Sequence, residues 1–308
     1  MSYRYQRISE KSLPAIASLY KDCFNLKVST QDLEKKYNTD SFGESYTGFI
    51  AIDNNENVGA YYGVFPCNMK CNGEVVLASQ SGDTMTGPSH RKKELFTSLA
   101  KETYDLLGQL NIAFVFGFPN KNSLPGFERK LDWKFYGYMQ HFNISNNVLI
   151  PLCEIASKFP MLKKTYRNLV RKKLEQYRVE EVNLNEIESG LNRDTLFYNY
   201  KLSKSKDTYL VRIEGFEFII KTEPHLMIGD VSRFDKSQFN AFKLAVKLLA
   251  KLTYAKTTNI VLSKNHWLYD LLISEFESED SLPIGFYQIR QDLNYASIAF
   301  SLVDYDTF

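Results

Sequence analysis

The feature that most constrains the fold is an abrupt change of hydrophobic period at Pro88. Residues 75–85 have the mostly apolar and small composition of a strand. After Pro88, apolar residues recur with the period of one face of a helix that ends near Leu110. Residues 112–118 are then a continuous apolar run, which is typical of a strand buried on both faces. A strand, a helix and a buried strand in this order predict an α/β fold.

The residues before this unit predict an antiparallel meander. Residues 48–53 and 58–67 read as two strands that are joined by a polar turn. Asn72-Gly73 marks a second tight turn, because both residue types tolerate a positive φ angle. The strand at 75–85 is therefore expected to be the third strand of the meander.

Two helices are predicted between a first strand, residues 3–8, and the meander. The first opens at Ser12-Leu-Pro, and Ser29 caps a second, polar helix that ends near Asn38. The amino-terminal part of the chain thus alternates strands and helices in a compact order.

The second half repeats this order in reduced form. Three short strands between residues 209 and 231 precede a long helix at 237–252 and a strand at 260–262. Since 308 residues suit two domains of ordinary size, we expect a domain at 1–150, a linker with a basic helix at 151–193, and a second domain at 194–308.

The linker carries a local basic segment at residues 160–178. Its seven Lys and Arg residues interleave with apolar residues, which predicts an amphipathic helix. A solvated face that bridges two domains and a docking surface for an anionic substrate or membrane both explain this pattern. The sequence leaves these two readings open.

Composition excludes several classes of protein. Lys and Arg total 38 against 36 Asp and Glu, so the net charge of +2 gives no reason to expect a nucleic-acid partner. No apolar run approaches the roughly 18 residues of a membrane helix, and the start of the chain has no signal-peptide core. The four cysteines are too few and too scattered for a disulfide scaffold, and Cys67-x-x-x-Cys71 has no nearby histidines that would complete a zinc site. We expect no membrane span, no metal and a cytoplasmic location.

The junction between the strand at 75–85 and the following helix is chemically informative. The first turn of a helix presents unpaired backbone N–H groups and the positive end of the helix dipole, so anions bind there readily. Arg91, Lys92 and Lys93 add positive side chains at the same place. A pyrophosphate, as in coenzyme A, is one physically sensible ligand, and a basic first turn of a surface helix is the alternative.

This junction resembles the cofactor turn of the Gcn5-related N-acetyltransferase (GNAT) family. That family has an Arg/Gln-x-x-Gly-x-Gly/Ala turn after a strand ending in Thr-x-Pro, and this chain has Thr86-Gly-Pro88 followed by Arg91-Lys-Lys-Glu-Leu-Phe96. The order of elements over residues 3–145 is also similar. The resemblance implies a mixed, mostly antiparallel sheet flanked by helices, duplicated in two domains, with acetyl-coenzyme A as co-substrate.

The resemblance also implies which residues meet the cofactor. The strand before the turn and the next strand would form a V that holds the pantetheine arm. Asn120 with Ser123 matches the family's Asn-x-x-Ala/Ser element, and Phe127 opens a segment similar to its Tyr-x-x-x-Gly-Phe ending. The implied cofactor-binding residues are Met85, Thr86, Arg91, Lys92, Lys93, Glu94, Leu95, Phe96, Asn120, Ser123 and Phe127.

Two departures from the family pattern bear on chemistry. Glu94 stands where the family has Gly, so its carboxylate is expected to repel a pyrophosphate and its Cβ to crowd the close backbone approach. The Tyr that commonly protonates the leaving thiolate falls near Phe127 or Glu128, and neither is that Tyr.

Acetyl transfer needs a neutral amine, so a base must accept a proton from it. Asp83, His90 and Glu128 are the candidate bases, and Asp83 and Glu128 are our catalytic assignments. Their alternative roles are a hydrogen-bonding residue at a strand end, a surface turn residue and a solvated helix residue, respectively.

The expected reaction is direct acetyl transfer to a primary amine of a small molecule or an amino sugar. A non-catalytic GNAT-fold binding protein and an acyltransferase that uses a larger acyl donor are the alternatives. A homodimer is compatible with the sequence.

Overall fold

The computed structural model describes residues 2–180, 184, 187–204 and 207–308. Its chain packs into two compact units. The first comprises Met1–Gly137 with Leu282–Ala296, and the second comprises Tyr138–Ser281 with Ser297–Phe308. Each unit therefore includes a segment that is distant in sequence. The division of the sequence into a domain at 1–150, a linker and a domain at 194–308 stays a prediction.

The elements are numbered in chain order. In residues 1–145 they are β1 (Tyr3–Arg7), α1 (Leu13–Phe24), α2 (Thr30–Tyr37), β2 (Thr47–Asp53), β3 (Val58–Cys71), β4 (Glu74–Thr86), α3 (Leu95–Gln109), β5 (Phe114–Gly117), α4 (Leu124–Lys130) and β6 (Lys134–Ser145). In the remaining residues they are α5 (Leu152–Lys158), α6 (Pro160–Leu174), β7 (Gly190–Leu191), α7 (Thr195–Lys204), β8 (Thr208–Ile213), β9 (Phe216–Lys221), β10 (Leu226–Val231), α8 (Phe239–Leu252), β11 (Thr257–Ser263), α9 (Tyr269–Ile273) and β12 (Ser278–Gln288).

The sheet of the first unit is the predicted meander with a parallel strand added. β1, β2, β3 and β4 pair antiparallel in that order, and β4 pairs parallel with β5. Asn72 and Gly73 connect β3 to β4 with φ angles of 50° and 84°, which is the left-handed backbone that a tight hairpin requires. The end of β12 completes the sheet, because Gly285 to Gln288 pair antiparallel with β5. The mixed, mostly antiparallel sheet is confirmed.

Helices cover both faces of this sheet, which explains why β3 is apolar almost throughout. Tyr62 and Val64 of β3 pack in the core beneath α3. Tyr61 and Phe65, which point the other way because side chains alternate along a strand, pack against α1 and α2. The sheet is therefore the middle layer of three.

The second unit has a smaller sheet of similar order. β8, β9 and β10 pair antiparallel, β10 pairs parallel with β11 and β11 pairs antiparallel with β6. Its core packs the strands against α5, α6 and α8. The basic segment forms α6, whose Tyr166, Val170 and Leu174 are buried.

A buried ionic cluster holds the carboxyl-terminal residues in the second unit. Arg193 lies 3.2 Å from Asp230 of β10 and 2.5 Å from Asp304, and all three side chains are at most 3% exposed. Arg193 also donates a hydrogen bond to Ser301. Removing one partner from such a cluster leaves a buried charge without compensation, which is far more destabilising than losing an exposed ion pair.

We predict that Arg193→Ala destabilises the protein by about 3–5 kcal/mol, because Asp230 and Asp304 lose their buried cation. Arg212, which pairs with Glu217 on the surface, is the matched control, and Arg212→Ala should cost at most about 1 kcal/mol. Urea denaturation of both variants measures the difference. Equal losses would contradict the assignment of Arg193 as the organising charge.

Candidate active site

The pairing of β4 with β5 stops early. The two strands pair at Ser79 with Val115 and at Gln80 with Phe116, and β5 ends at Gly117. β4 continues to Thr86 and stays paired with β3 along its other edge. Within the described part of the chain, residues 81–86 therefore have one edge without a strand partner. Backbone donors and acceptors on such an edge are free to bind an extended ligand.

A β-bulge at Asp83 lies within this free segment. Thr84 and Gly82 of β4 face Tyr62 and Gly63 of β3, so Asp83 is the extra residue. Its φ angle of 29° lies outside the usual strand region. Bulges re-aim side chains and are common beside active sites.

The turn after β4 leads to an uncapped helix. Lys92 and Glu94 have left-handed φ angles of 62° and 57°. The first backbone hydrogen bond of α3 runs from Ser98 N–H to Glu94 C=O, and Glu94 makes no side-chain cap. The N–H groups of residues 95–97 thus precede the helical hydrogen bonds, and Arg91, Lys92 and Lys93 beside them are exposed. This geometry suits an anion.

The position of Glu94 explains why the family pattern has Gly there. Its backbone is left-handed, a conformation that Gly adopts without steric cost and other residues adopt at a cost of roughly 1 kcal/mol. The Glu94 side chain is 79% exposed, and its carboxylate lies 3.8 Å from Lys130 Nζ of α4. The carboxylate therefore points to solvent and to a cation.

His90 holds the turn after β4 in place through its contacts. Its Nδ1 lies 2.8 Å from the Tyr3 hydroxyl, to which Lys93 Nζ also donates a hydrogen bond of 3.1 Å. The His90 ring packs so tightly on Gly59 of β3 that a Cβ there would lie 2.5 Å from Nδ1. These contacts fasten the turn to β1 and β3.

Asp83 lies in a tyrosine-lined ionic site. It accepts a 2.6 Å hydrogen bond from the Tyr37 hydroxyl and lies 2.7 Å from Lys36 Nζ. Burial by itself would raise the pKa of Asp83, but the Lys36 ammonium and hydrogen bonds from Tyr20 and Tyr37 outweigh it and hold that pKa below its usual value. Burial and the Asp83 charge raise the pKa of Tyr37 well above its ordinary value. Asp83 is therefore ionised at neutral pH and is a weak base.

Asn120 and Ser123 follow β5 in the chain and so lie across from β4 on the other side of the V, which is the gap between the two strands. Asn120 Oδ1 accepts hydrogen bonds from the N–H groups of Asn122 and Ser123, at 2.9 and 3.2 Å. The Asn120 carbonyl accepts the N–H of Leu124 at the start of α4. Because the side-chain oxygen is used as a cap, the side-chain amide N–H groups are the part that can reach a ligand.

The remaining predicted site residues differ in exposure. Met85, Leu95 and Phe127 are buried, so any contact of theirs with a cofactor would involve the backbone. Phe96 packs edge-on against Phe127 at 5.2 Å. Glu128 is exposed on α4.

Sequence reasoning missed a hydrogen-bonded chain next to the V. Trp133 Nε1 donates to the Tyr104 hydroxyl at 2.8 Å, and the Tyr62 hydroxyl lies 2.9 Å from both the Tyr104 hydroxyl and Ser81 Oγ. The helical period places Tyr104 on the buried face of α3, and a buried phenol needs a partner. That requirement is the signal that could have indicated the chain.

In the second unit, the parallel strands β10 and β11 also part early, but the carboxyl-terminal segment fills the gap between them. β10 and β11 pair only between residues 226–228 and 258–260. Beyond them, Ser301 pairs with Leu262 of β11 and donates a hydrogen bond to Asp230 of β10. The carboxyl-terminal segment therefore lies between these strands, where the first unit has its free edge.

A solvent-open depression of the second unit lies at the end of α6. It is lined by Lys172, Lys173, Glu175, Gln176 and Leu252. These side chains carry both signs of charge, and we assign no ligand to it.

The fold and site define the class of protein. A mixed sheet that splays beside an uncapped, basic helix start is the arrangement expected of acyltransferases of the GNAT type. Residues 4–136 match the family model described as "Acetyltransferase (GNAT) domain". The chain therefore contains a GNAT domain in its first half.

Solved structures of this class share the fold across most of the chain. A GCN5-related N-acetyltransferase from Kribbella flavida is 14% identical, with a TM-score of 0.60 over 94% of this chain and 71% of that one. A GCN5-related N-acetyltransferase from Anabaena variabilis is 12% identical, with a TM-score of 0.61 over 94% and 73%. N-myristoyltransferase from Saccharomyces cerevisiae, solved with bound myristoyl-CoA, is 12% identical, with a TM-score of 0.54 over 93% and 82%.

No curated protein sequence matches the chain significantly. Among the described residues, no helix has the length and apolar character needed to cross a membrane. In the same residues, no three His, Cys, Asp or Glu side chains are grouped as a metal ion would require.

We predict that Glu94→Gly and Lys92→Gly each stabilise the protein by about 0.5–1 kcal/mol, because Gly removes the cost of a left-handed backbone. Lys101→Gly, on the exposed face of α3, is the control and should destabilise by about 1 kcal/mol. Urea denaturation gives all three values. Destabilisation by the first two substitutions would show that their backbone is not strained.

Asp83 should make stability depend on pH. Its folded-state pKa is lowered, so its contribution is complete above the unfolded value of about 3.9 and is lost as the pH falls through the folded value. At pH 7, Asp83→Asn should destabilise by about 2 kcal/mol, because the partly buried Lys36 ammonium loses a charged hydrogen-bond acceptor. The difference from the wild type should shrink in urea denaturation below about pH 4. A difference that is the same at pH 7 and pH 3 would contradict the ion pair.

Proposed function

We propose that the protein is an N-acetyltransferase that transfers the acetyl group of acetyl-coenzyme A to a primary amine of a small molecule or an amino sugar. The observation that carries the proposal is the free edge of β4 at residues 81–86, which leads directly into the uncapped start of α3. A cytoplasmic location and a duplicated GNAT-like second half belong to the same proposal.

The donor fits this surface in two parts. The pyrophosphate would bind the N–H groups of residues 95–97 and the side chains of Arg91, Lys92 and Lys93. The pantetheine amides would pair with the free edge of β4 as an added strand does. From Thr86 back to Ser81 the edge spans about 16 Å of extended chain. The Asn120 amide would hold the arm from the other side of the V.

The acceptor site would lie at the bulge. Asp83 is ionised but already compensated by Lys36 at 2.7 Å, so we assign it to orienting the amine by a hydrogen bond, and the exposed Glu128 to accepting its proton. Once Glu128 has taken one proton from the ammonium, the neutral nitrogen attacks the thioester carbonyl and the C–N bond forms. The C–S bond then breaks, and the second proton of the nitrogen passes to the departing sulfur, so that the amide and the coenzyme A thiol are released.

A larger acyl donor is the second candidate. One structural neighbour, the yeast N-myristoyltransferase, was solved with bound myristoyl-CoA, so a protein of similar fold binds a long-chain acyl donor. A non-catalytic binding role is the third, since Glu94 adds a negative charge beside the proposed pyrophosphate site.

Calorimetry with acetyl-CoA, myristoyl-CoA and free coenzyme A tests the proposal. We expect binding of acetyl-CoA that weakens with added salt, because the pyrophosphate contacts are ionic. Absence of binding by all three at high micromolar concentration would contradict the enzyme. Preference for myristoyl-CoA would favour the larger donor, and binding without transfer to any amine would favour the non-catalytic role.

Lys92→Gly and Glu94→Gly are a matched pair for the same measurement. Both introduce Gly at a left-handed position, but they remove opposite charges. Lys92→Gly should weaken the affinity for coenzyme A and Glu94→Gly should strengthen it, each by about threefold to tenfold, as expected for one charge near the surface. Shifts in the same direction would show that backbone freedom, and not charge, controls binding.

A further inference from the structure

Resting on the proposed function, we propose that Ser81 donates a hydrogen bond to the thioester of bound acyl-coenzyme A, and that Trp133 fixes the direction of that donor. The chain from Trp133 through Tyr104 and Tyr62 to Ser81 connects the protein core to the narrow end of the V. It supplies a polar group at the reacting end of the cofactor, where no catalytic Tyr of the family pattern is present.

The direction of the chain follows from which groups can donate. An indole N–H is a donor only, so the Tyr104 oxygen accepts from Trp133 at 2.8 Å. The Tyr104 proton then goes to the Tyr62 oxygen, 2.9 Å away. Tyr62 is 0% exposed, and its own proton needs an acceptor, which is Ser81 Oγ at 2.9 Å.

The reverse direction would leave a buried donor unsatisfied. If Ser81 donated to Tyr62, the Tyr62 oxygen would accept two hydrogen bonds and its own O–H would have no acceptor among the described residues. An unsatisfied buried donor is costly. The favoured direction leaves the Ser81 O–H unused, and Ser81 is partly exposed.

Ser81 lies where the thioester is expected. It is the first residue of β4 beyond the last pair with β5, which joins Gln80 to Phe116. Across the V stands Gly117, where an added Cβ would lie 3.3 Å from both the Ser81 Cβ and the Trp133 ring, so a side chain at residue 117 would crowd this narrow end. With the pyrophosphate at the start of α3, the pantetheine arm runs along β4 towards this narrow end.

The hydrogen-bonded chain orients the Ser81 hydroxyl and does not deliver a proton. Burial raises the pKa of Tyr62 to about 12 and raises the pKa of Tyr104 well above its ordinary value. A proton passed outward would leave a buried tyrosinate, which those pKa values disfavour. Ser81 therefore acts as a fixed donor to the charge that develops on the thioester oxygen or on the departing sulfur.

Two readouts test this without an identified acceptor. Infrared spectra of bound acetyl-CoA, labelled with ¹³C at the carbonyl, report a hydrogen bond to the thioester oxygen. Titration of the thiol of bound coenzyme A reports a hydrogen bond to the sulfur, because a donor stabilises the thiolate and lowers the thiol pKa. Ser81→Ala should move at least one readout towards its value in free solution, and Ser81→Thr, which keeps the hydroxyl, should not.

Trp133→Phe tests the direction of the chain. It removes the donor that orients Tyr104 but leaves Ser81 in place, so it should move the same readout by a smaller amount. Calorimetry should give Ser81→Ala an affinity for acetyl-CoA within about threefold of the wild type, since the pyrophosphate contacts remain. Once an acceptor is found, kcat of Ser81→Ala should fall by about a hundredfold.

The outcomes separate the two proposals. If the wild type does not bind acetyl-CoA, the proposed function fails. If it binds, and Ser81→Ala leaves both the carbonyl band and the thiol pKa unchanged, the role of Ser81 is overturned. If Ser81→Ala moves a readout and Trp133→Phe moves none, the claim that Trp133 fixes the donor is overturned.

Discussion

The structure of the candidate site depends on the early end of one strand pairing. β4 and β5 pair over two residues and then part, which leaves residues 81–86 with a free edge and Gly117 opposite Ser81. A parallel pair continued to Thr86 would satisfy those backbone groups internally and would leave no place for an extended ligand. Two local features accompany this separation: the bulge at Asp83, which twists β4, and the turn after β5, in which Asn120 Oδ1 accepts the N–H groups of Asn122 and Ser123.

Much of this framework could be predicted because it is encoded locally. The change of period at Pro88 located the strand, turn and helix, Ser29 accepts the N–H of Asp32 as the predicted cap, and Asn72-Gly73 forms the predicted hairpin turn. Contacts between distant residues could not be predicted in this way. Periodicity tells which face of α2 or α3 is buried, but it does not tell that Lys36 meets Asp83 or that Tyr104 meets Trp133.

The second unit shows that the same strand order does not by itself create a site. Its parallel strands also pair over a short stretch, yet Ser301 bonds to both of them and Arg193 holds the segment by its ion pair with Asp304. The sequence contains this difference only as separate residues at 193, 230, 301 and 304, with no shared period or spacing. A buried charge cluster is recognised when tertiary structure brings its members together, because each charge would be unstable there alone.

Glu94 affects the turn in two separate ways, through its backbone and through its side chain. From sequence, a carboxylate in place of Gly is expected to repel the cofactor, and the substitution reads as evidence against binding. The structure places the strain in the backbone, at φ 57°, and the carboxylate in solvent near Lys130. A charge that is mostly exposed is screened within about 10 Å at ordinary salt, whereas the uncapped N–H groups of residues 95–97 keep their direction at any salt concentration. The helix start therefore has the geometry that suits an anion, and we expect Glu94 to weaken anion binding there without preventing it.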